Sequence, residues 1–377
     1  MDLEIEPKNI DNIESTSVLQ QTSYWAKVKQ RQGYKPRAFD IKLKSGKLEI
    51  KRDTDKDLSY ATDDILILLY RLNETHQLAY VPYGPILEPK QEMQGAYLEE
   101  LSEMLRNYLP YQCIAVRYDL RWESHWANDE SRYDREKKWI GPPESAIQEI
   151  RINFNTIYRN LRKTITDNLP SNTVFLNLKR SQEVILMAMK PKTRYNIRLS
   201  QRKGVIVREA EEHELDIWYE MYTQTAARNG ILLHDIGFFK SVLTACKDYS
   251  GSNTGVHLLL AQHDGIPLAG MFLVVSGNRA TYLYGASSDF KRNYMATYSL
   301  QWYAIRKAKS LGCLEYDMFG VSRADNKSHP LHGLYRFKTG FGGRLFHRLG
   351  CWDYPFLEKE YETFRTSELN CSGYHLR

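Results

Sequence analysis

Ile114-Ala115-Val116-Arg117-Tyr118-Asp119 and Glu315-Tyr316-Asp317-Met318-Phe319 are two short strand-like runs that share a Tyr-Asp pair. Each follows a segment with helical spacing. Before the first lies Gln94–Tyr108, with Leu98, Leu101, Met104 and Leu105 on one face; before the second lies Ala296–Leu311, stopped by Gly312. Working further outward, each helix is preceded by strand-like segments. The first set is Pro36–Leu43, Asp64–Leu72 and Gln77–Val81. The second is His257–Gln262, Pro267–Ser276 and Ala280–Ala286, joined by turns at Asp264-Gly265 and Gly277-Asn278. A short helix opens each set, ending at Tyr24–Lys29 in one case and beginning at Phe238 in the other.

The order helix, three strands, helix, strand therefore occurs twice, and the predicted class is α/β (α+β). The pattern fits two tandem N-acetyltransferase-like domains, each a mixed, mostly antiparallel sheet flanked by helices. From Glu123 to Glu144 the chain turns polar, with Gly141-Pro142-Pro143 as a breaker, so this is the candidate linker. Domains are expected at 1–150 and 151–349, with 350–377, including a charged closing helix, packing back on the first. Ile147–Leu161 is too polar for periodicity to settle. The loop before the second long helix, Arg292-Asn293-Tyr294-Met295-Ala296, has none of the glycines that let backbone amides cradle a pyrophosphate, which speaks against an acyl-CoA donor.

Composition narrows the class. With 377 residues, 42% of them hydrophobic and 26% charged, the chain is expected to be globular and large enough for two cores. Its longest apolar run, Ile65–Tyr70, is far too short to cross a bilayer, and Met1-Asp2-Leu3-Glu4 is acidic where a secretory signal would be basic. A cytoplasmic protein is expected. Five cysteines, odd in number and never in a Cys-x-x-Cys pair, argue against a disulfide framework or a zinc site and for buried thiols. No metal or cofactor is expected. Lysine plus arginine exceed aspartate plus glutamate by 52 to 46, a balance that helps a polyanionic partner without requiring one.

Several residues have both a chemical and a structural reading. Lys190–Lys203 contains no carboxylate, and Lys192, Arg194, Arg198 and Arg202 make it a positive helix face, suited to nucleic-acid phosphates or simply solvated. Lys29 sits where a helix meets a loop and could hold a phosphate. Asp119, read at a strand terminus, is either a ligand-binding carboxylate or a turn residue. His234 is a loop histidine able to meet a phosphate or hydroxyl. Tyr284 is a packed aromatic or a ligand contact, with Gly285 opening space beside it. Within Gly333-Leu334-Tyr335-Arg336-Phe337-Lys338-Thr339-Gly340-Phe341-Gly342-Gly343, Lys338 suits a fixed charge on an oxyanion or phosphate, with glycines allowing close backbone approach to a ligand. The structural alternative is a surface lysine at a strand end. No Ser-His-Asp, Cys-His or Gly-x-Ser-x-Gly signature stands out, which fits direct transfer without an acyl-enzyme. A general base is not evident; Asp317 is a candidate contributor or purely structural.

Taken in order, Trp25-Ala26-Lys27-Val28-Lys29, Tyr83-Gly84-Pro85, Lys192-Thr193-Arg194-Tyr195-Asn196-Ile197-Arg198, Ala227-Arg228-Asn229-Gly230, Tyr284-Gly285-Ala286-Ser287, Tyr316-Asp317 and Arg336-Phe337-Lys338-Thr339-Gly340-Phe341-Gly342 resemble the Fem family of peptidoglycan branch-forming aminoacyltransferases. The resemblance covers nearly the whole chain. With no sustained heptad run, it is to the compact, FemX-like form without a coiled-coil arm. It implies transfer of an amino acid from aminoacyl-tRNA to the stem-peptide amine of a UDP-linked or lipid-linked muropeptide. It also implies no cofactor, peripheral membrane contact through a lipid-linked substrate, and a monomer. Residue by residue, it implies that Lys29, Asp119 and Tyr284 line the precursor site. Phe337 and Lys338 would meet the acceptor end of the tRNA, with Lys338 as catalytic stabiliser. His234 stands where this form uses an arginine for the pyrophosphate, and Phe238 where it has a tyrosine. The competing expectations are an aminoacyl-tRNA-protein transferase, an acyl-CoA N-acetyltransferase and a non-catalytic RNA-binding protein.

Overall fold

The computed structural model describes residues 2–44, 60–248, 254–322 and 332–370. The chain divides into two compact units. The first comprises Met1–Glu14, Gln20–Ser171 and His347–Arg377, the second Ser15–Leu19 and Asn172–Phe346.

In the first unit, β1 (Leu3–Lys8) and α1 (Ser23–Arg31) precede three strands: β2 (Lys35–Lys44), β3 (Tyr60–Arg71) and β4 (Gln77–Val81). Then come α2 (Gln94–Arg106), β5 (Cys113–Glu123), α3 (Ser145–Ile152) and β6 (Arg162–Lys163). The Thr22 hydroxyl starts α1 by accepting the Trp25 N–H. All neighbouring strands pair antiparallel except β4 with β5, which run parallel because α2 carries the chain back across the sheet. Ile65, Ile67 and Leu69 face the core beneath α2, and Leu66 and Leu68 on the other face are equally buried. A strand covered on both sides explains the long apolar run of β3.

The second unit contains β7 (Asn172–Asn177), α4 (Gln182–Ala188), α5 (Pro191–Arg202), β8 (Ile206–Glu209), α6 (Leu215–Asn229) and α7 (Ile236–Thr244). These are followed by β9 (Gly255–His263), β10 (Ile266–Ser276), β11 (Arg279–Ser287), α8 (Ala296–Ser310), β12 (Glu315–Asp317) and α9 (His332–Lys338). Its sheet runs β7-β12-β11-β10-β9-β8, with only β11 and β12 parallel. Gly230, at φ 62°, ends α6 in the left-handed conformation that a glycine stop requires. The doubled order is thus present as α1-β2-β3-β4-α2-β5 and α7-β9-β10-β11-α8-β12, and both copies place their one parallel pair at the Tyr-Asp strand.

The remaining elements are β13 (Arg344–Pro355) and α10 (Glu358–Asn370). From Gly350, β13 pairs antiparallel with β5, and Arg117 on β5 reaches Asp353 on β13 (2.8 Å) and Glu368 on α10 (2.7 Å) in a buried ion-pair cluster. The polar stretch 123–144 is folded into the first unit. Trp139 is buried and stacks on His347 at 3.8 Å, and Arg132 donates to the carbonyls of Gly141 and Pro142. The expected polar loop Gly320–Pro330 lies outside the described residues from 323 on, as does Cys371. Of the described cysteines, Cys113, Cys313 and Cys351 are buried free thiols, and Cys246 is half-buried. No helix among the described residues is long and apolar enough to cross a membrane.

Candidate active site

Lys338 closes α9 rather than a strand, and it is inside the protein: only 4% of it is exposed. Helix spacing turns it inward while Gly333 and Arg336 face out. Its ammonium donates to the Gly320 carbonyl (2.7 Å) and lies 5.0 Å from the centre of the Tyr282 ring. Burial pulls its pKa down to about 7, against the opposing charge of Asp317. The surface-lysine reading is therefore corrected: Lys338 is buried within the second unit.

Asp317 ends β12 and is fixed by two donors, the Thr173 hydroxyl on β7 (2.5 Å) and the Phe319 N–H (2.8 Å). Phe319 adopts φ 57°, so the chain turns sharply just past the carboxylate. Phe337 packs edge-on to Tyr298 (5.0 Å) and Phe341 (5.2 Å), anchoring α9 to α8.

The glycines around Lys338 serve packing within the chain, not approach to a ligand. A Cβ on Gly340 would meet the Thr193 hydroxyl at 2.4 Å, one on Gly342 the Ala188 carbonyl at 2.3 Å and one on Gly343 the Phe175 carbonyl at 2.6 Å. Gly285 likewise does not open space beside Tyr284. Its missing Cβ makes room for the Tyr282 hydroxyl, 1.8 Å from where that Cβ would stand. Tyr282, whose hydroxyl burial pushes up to about 12, is the site residue that sequence reading missed. Its signal was the alternation Thr281-Tyr282-Leu283-Tyr284, with a glycine where one ring folds back.

His234, Phe238 and Tyr284 come together elsewhere in the same unit. The His234 ring stacks on Phe238 at 4.3 Å, and Phe238 meets Tyr284 edge-on at 5.9 Å. Burial raises the Tyr284 hydroxyl well above the usual phenol range. On α5, Lys192, Arg198 and Arg202 are exposed. Arg194 is half-buried and also donates to the Met187 and Met189 carbonyls, satisfying the C-terminal end of α4. Arg194, Arg198 and Arg202 still border one open depression with Pro191, Tyr195 and Gln201.

In the first unit, Lys29 at the end of α1 is covered by Trp25 and Tyr34, whose ring centres lie 5.1 and 5.2 Å from the ammonium. Burial lowers its pKa to about 8, and it donates to Gln32 at 2.9 Å. Asp119 does not end a strand. It lies inside β5, which continues because Leu120 and Trp122 fill the core. Fully buried, it accepts from the Tyr80 hydroxyl (3.0 Å) and the Leu169 N–H (2.7 Å). Burial first, then the charge of Asp167, push its carboxyl up to about 7.

The chain has the fold of a solved structure, FemX, with a TM-score of 0.71 at 17% identity over 96% of this chain and 100% of that one. The FemAB family profile matches residues 8–252 and 254–368, and the chain belongs to the FemAB family. Among curated relatives, a lipid II:glycine glycyltransferase of Staphylococcus haemolyticus is 22% identical over 253 residues, which is 51% of this chain and 60% of the relative. One of Staphylococcus aureus (strain USA300) is 20% identical over 255 residues, 51% of this chain and 61% of that protein. The match thus spans roughly three fifths of these relatives' length.

Proposed function

We propose that this chain is an aminoacyltransferase that moves an amino acid from aminoacyl-tRNA to the stem-peptide amine of a peptidoglycan precursor. The observation that carries the reading is Lys338, buried beside the charge of Asp317 with a pKa near 7. An aminoacyl ester is already activated, so attack by an amine needs orientation and a charge for the tetrahedral oxyanion. Protonated Lys338 supplies that charge. The amine nitrogen bonds to the ester carbon, the carbon–oxygen bond to the tRNA ribose breaks, and the amine proton ends on the departing ribose hydroxyl.

The exposed Lys192, Arg198 and Arg202 suit the phosphates of the donor. Half-buried Lys29 suits a phosphate of the acceptor. The names of the relatives favour a lipid-linked acceptor and glycine as the amino acid. A charged tRNA as donor places the reaction in the cytoplasm, with the chain acting as a monomer.

The test is transfer of radiolabel from a pool of charged tRNAs to UDP-linked and lipid-linked muropeptides, with acetyl-CoA as the parallel donor. Label from tRNA alone is expected. Label from acetyl-CoA alone, or from neither donor, overturns the reading.

A further inference from the structure

The first unit carries an apolar tip that its own core does not use. On α3 and the turn after it, Ile147, Ile150, Phe154, Ile157 and Tyr158 are 46%, 71%, 78%, 83% and 65% exposed. The spacing of Ile147, Ile150 and Phe154 puts them on one side of α3 and its continuation, while Gln148 and Ile152 face inward. Scattered surface apolar residues are ordinary; a contiguous patch is not.

This tip is also held firmly. Asn153, buried at the end of α3, donates to the carbonyls of Glu149 (2.9 Å) and Leu161 (2.8 Å) and accepts the Leu161 N–H (3.1 Å). The buried carboxylate of Glu99 on α2 accepts the N–H groups of Ile157 (2.6 Å) and Tyr158 (2.8 Å). Gly95 lets α2 come close, because a Cβ there would stand 1.7 Å from the Ile152 carbonyl. Buried polar groups are thus committed to ordering a turn whose apolar side chains face outward.

Charge identifies the occupant. The stretch 145–163 carries Arg151, Arg159, Arg162 and Lys163 against one carboxylate, Glu149; Lys163 pairs with Asp167 (3.0 Å) and Arg162 lies 3.9 Å from Glu358, so the positive charge available to a partner is that of Arg151 and Arg159. An Oε of Glu149 is already occupied by the Lys163 N–H (2.8 Å). Arg151 donates to His125 (3.0 Å) and lies 5.7 Å from the centre of the Trp126 ring. Apolar side chains on an ordered turn, with Arg151, Arg159 and an indole on the same segment or against it, match the boundary between acyl chains and anionic head groups.

We propose that this tip seats the chain on an anionic phospholipid bilayer, with Ile150, Phe154 and Ile157 reaching the upper acyl chains and the arginines meeting lipid phosphates. It deepens the proposed function by bringing the chain to a lipid-linked acceptor, and it rests on that reading only for its purpose.

The test is co-sedimentation of the full chain with vesicles of phosphatidylcholine, with and without phosphatidylglycerol. The wild type is compared with a variant carrying Ile150→Ser, Phe154→Ser and Ile157→Ser, and with one carrying Arg151→Gln and Arg159→Gln. The wild type is expected to bind the phosphatidylglycerol vesicles, and the serine variant at least about tenfold more weakly with an unchanged melting temperature. The glutamine variant is expected to lose the preference for phosphatidylglycerol. No binding by the wild type, or equal binding by the serine variant, overturns the proposal. Self-association that the serine variant abolishes while vesicle binding persists would assign the patch to a second copy instead. Transfer to a soluble UDP-linked acceptor by the serine variant is expected to match wild type. Failure of the wild type with both UDP-linked and lipid-linked acceptors would strike the proposed function and leave the vesicle result standing.

Discussion

The two Tyr-Asp strands occupy the same place in their units yet end in different chemistry. Tyr118 and Tyr316 are both fully buried, and each hydroxyl meets a polar residue on the preceding long helix, Ser102 on α2 (2.8 Å) and Gln301 on α8 (2.7 Å). The adjoining aspartates each accept from one side-chain hydroxyl and one backbone N–H, and Asp119 also from the Cys351 thiol. What differs is the charge next door. Burial first, then the nearby acid Asp167, hold the Asp119 proton up to about 7, whereas the charge of Asp317 acts on Lys338. One duplicated frame thus sets a buried carboxyl near another acid in the first unit, and in the second an acid whose charge is felt by a buried lysine.

The largest effect is expected from Lys338→Ala, which should lower transfer by at least about tenfold, or about 1.4 kcal/mol in the barrier, while the protein stays folded. Wild-type turnover in that variant would remove the contrast between the units. Next, Asp317→Asn and Asp119→Asn should separate. Removing the Asp317 charge drops the Lys338 pKa further, so transfer should fall off at lower pH than in the wild type. Asp119→Asn should act on stability instead. The folded carboxyl keeps its proton up to about 7 whereas an unfolded one releases it near 3.8, so the folded state binds more protons in that window and stability falls as pH rises through it. The variant should lack that slope, as melting curves across the window would show. An equal slope in both proteins would mean Asp119 is ionised throughout. The smallest effect is expected from Tyr118→Phe and Tyr316→Phe, each costing about 1 kcal/mol of unfolding free energy by denaturant titration. A much larger cost in one would show that the two frames are not equivalent.

Much of the frame was legible because periodicity records which faces are buried. The three-strand sets, the long helices and the stop at Gly230 all follow from local pattern and turn chemistry. The site was legible only in part. Lys338 and Asp317 stood out by their neighbours, but burial of a lysine leaves no local mark, and α9 is too short to announce itself among glycines. The roles of Gly285 and Gly342 depend on what approaches them from other elements, so a reading along the chain assigned that space to a ligand. That Arg194 also caps the end of α4 is again a tertiary fact. Asp119 was misplaced to a strand end because β5 is extended by pairing with β13, more than two hundred residues downstream.

The central claim is that charged Lys338 stabilises the transfer transition state, and the pH dependence of single-turnover transfer in the wild type relative to Lys338→Arg tests it most directly. Taking the ratio cancels titration of the acceptor amine, and the guanidinium stays charged throughout. The wild-type to variant ratio is expected to fall as pH rises through about 7, where the lysine loses its proton. A ratio that rises through the same range would make neutral Lys338 a proton acceptor and rule out its role as the stabilising charge.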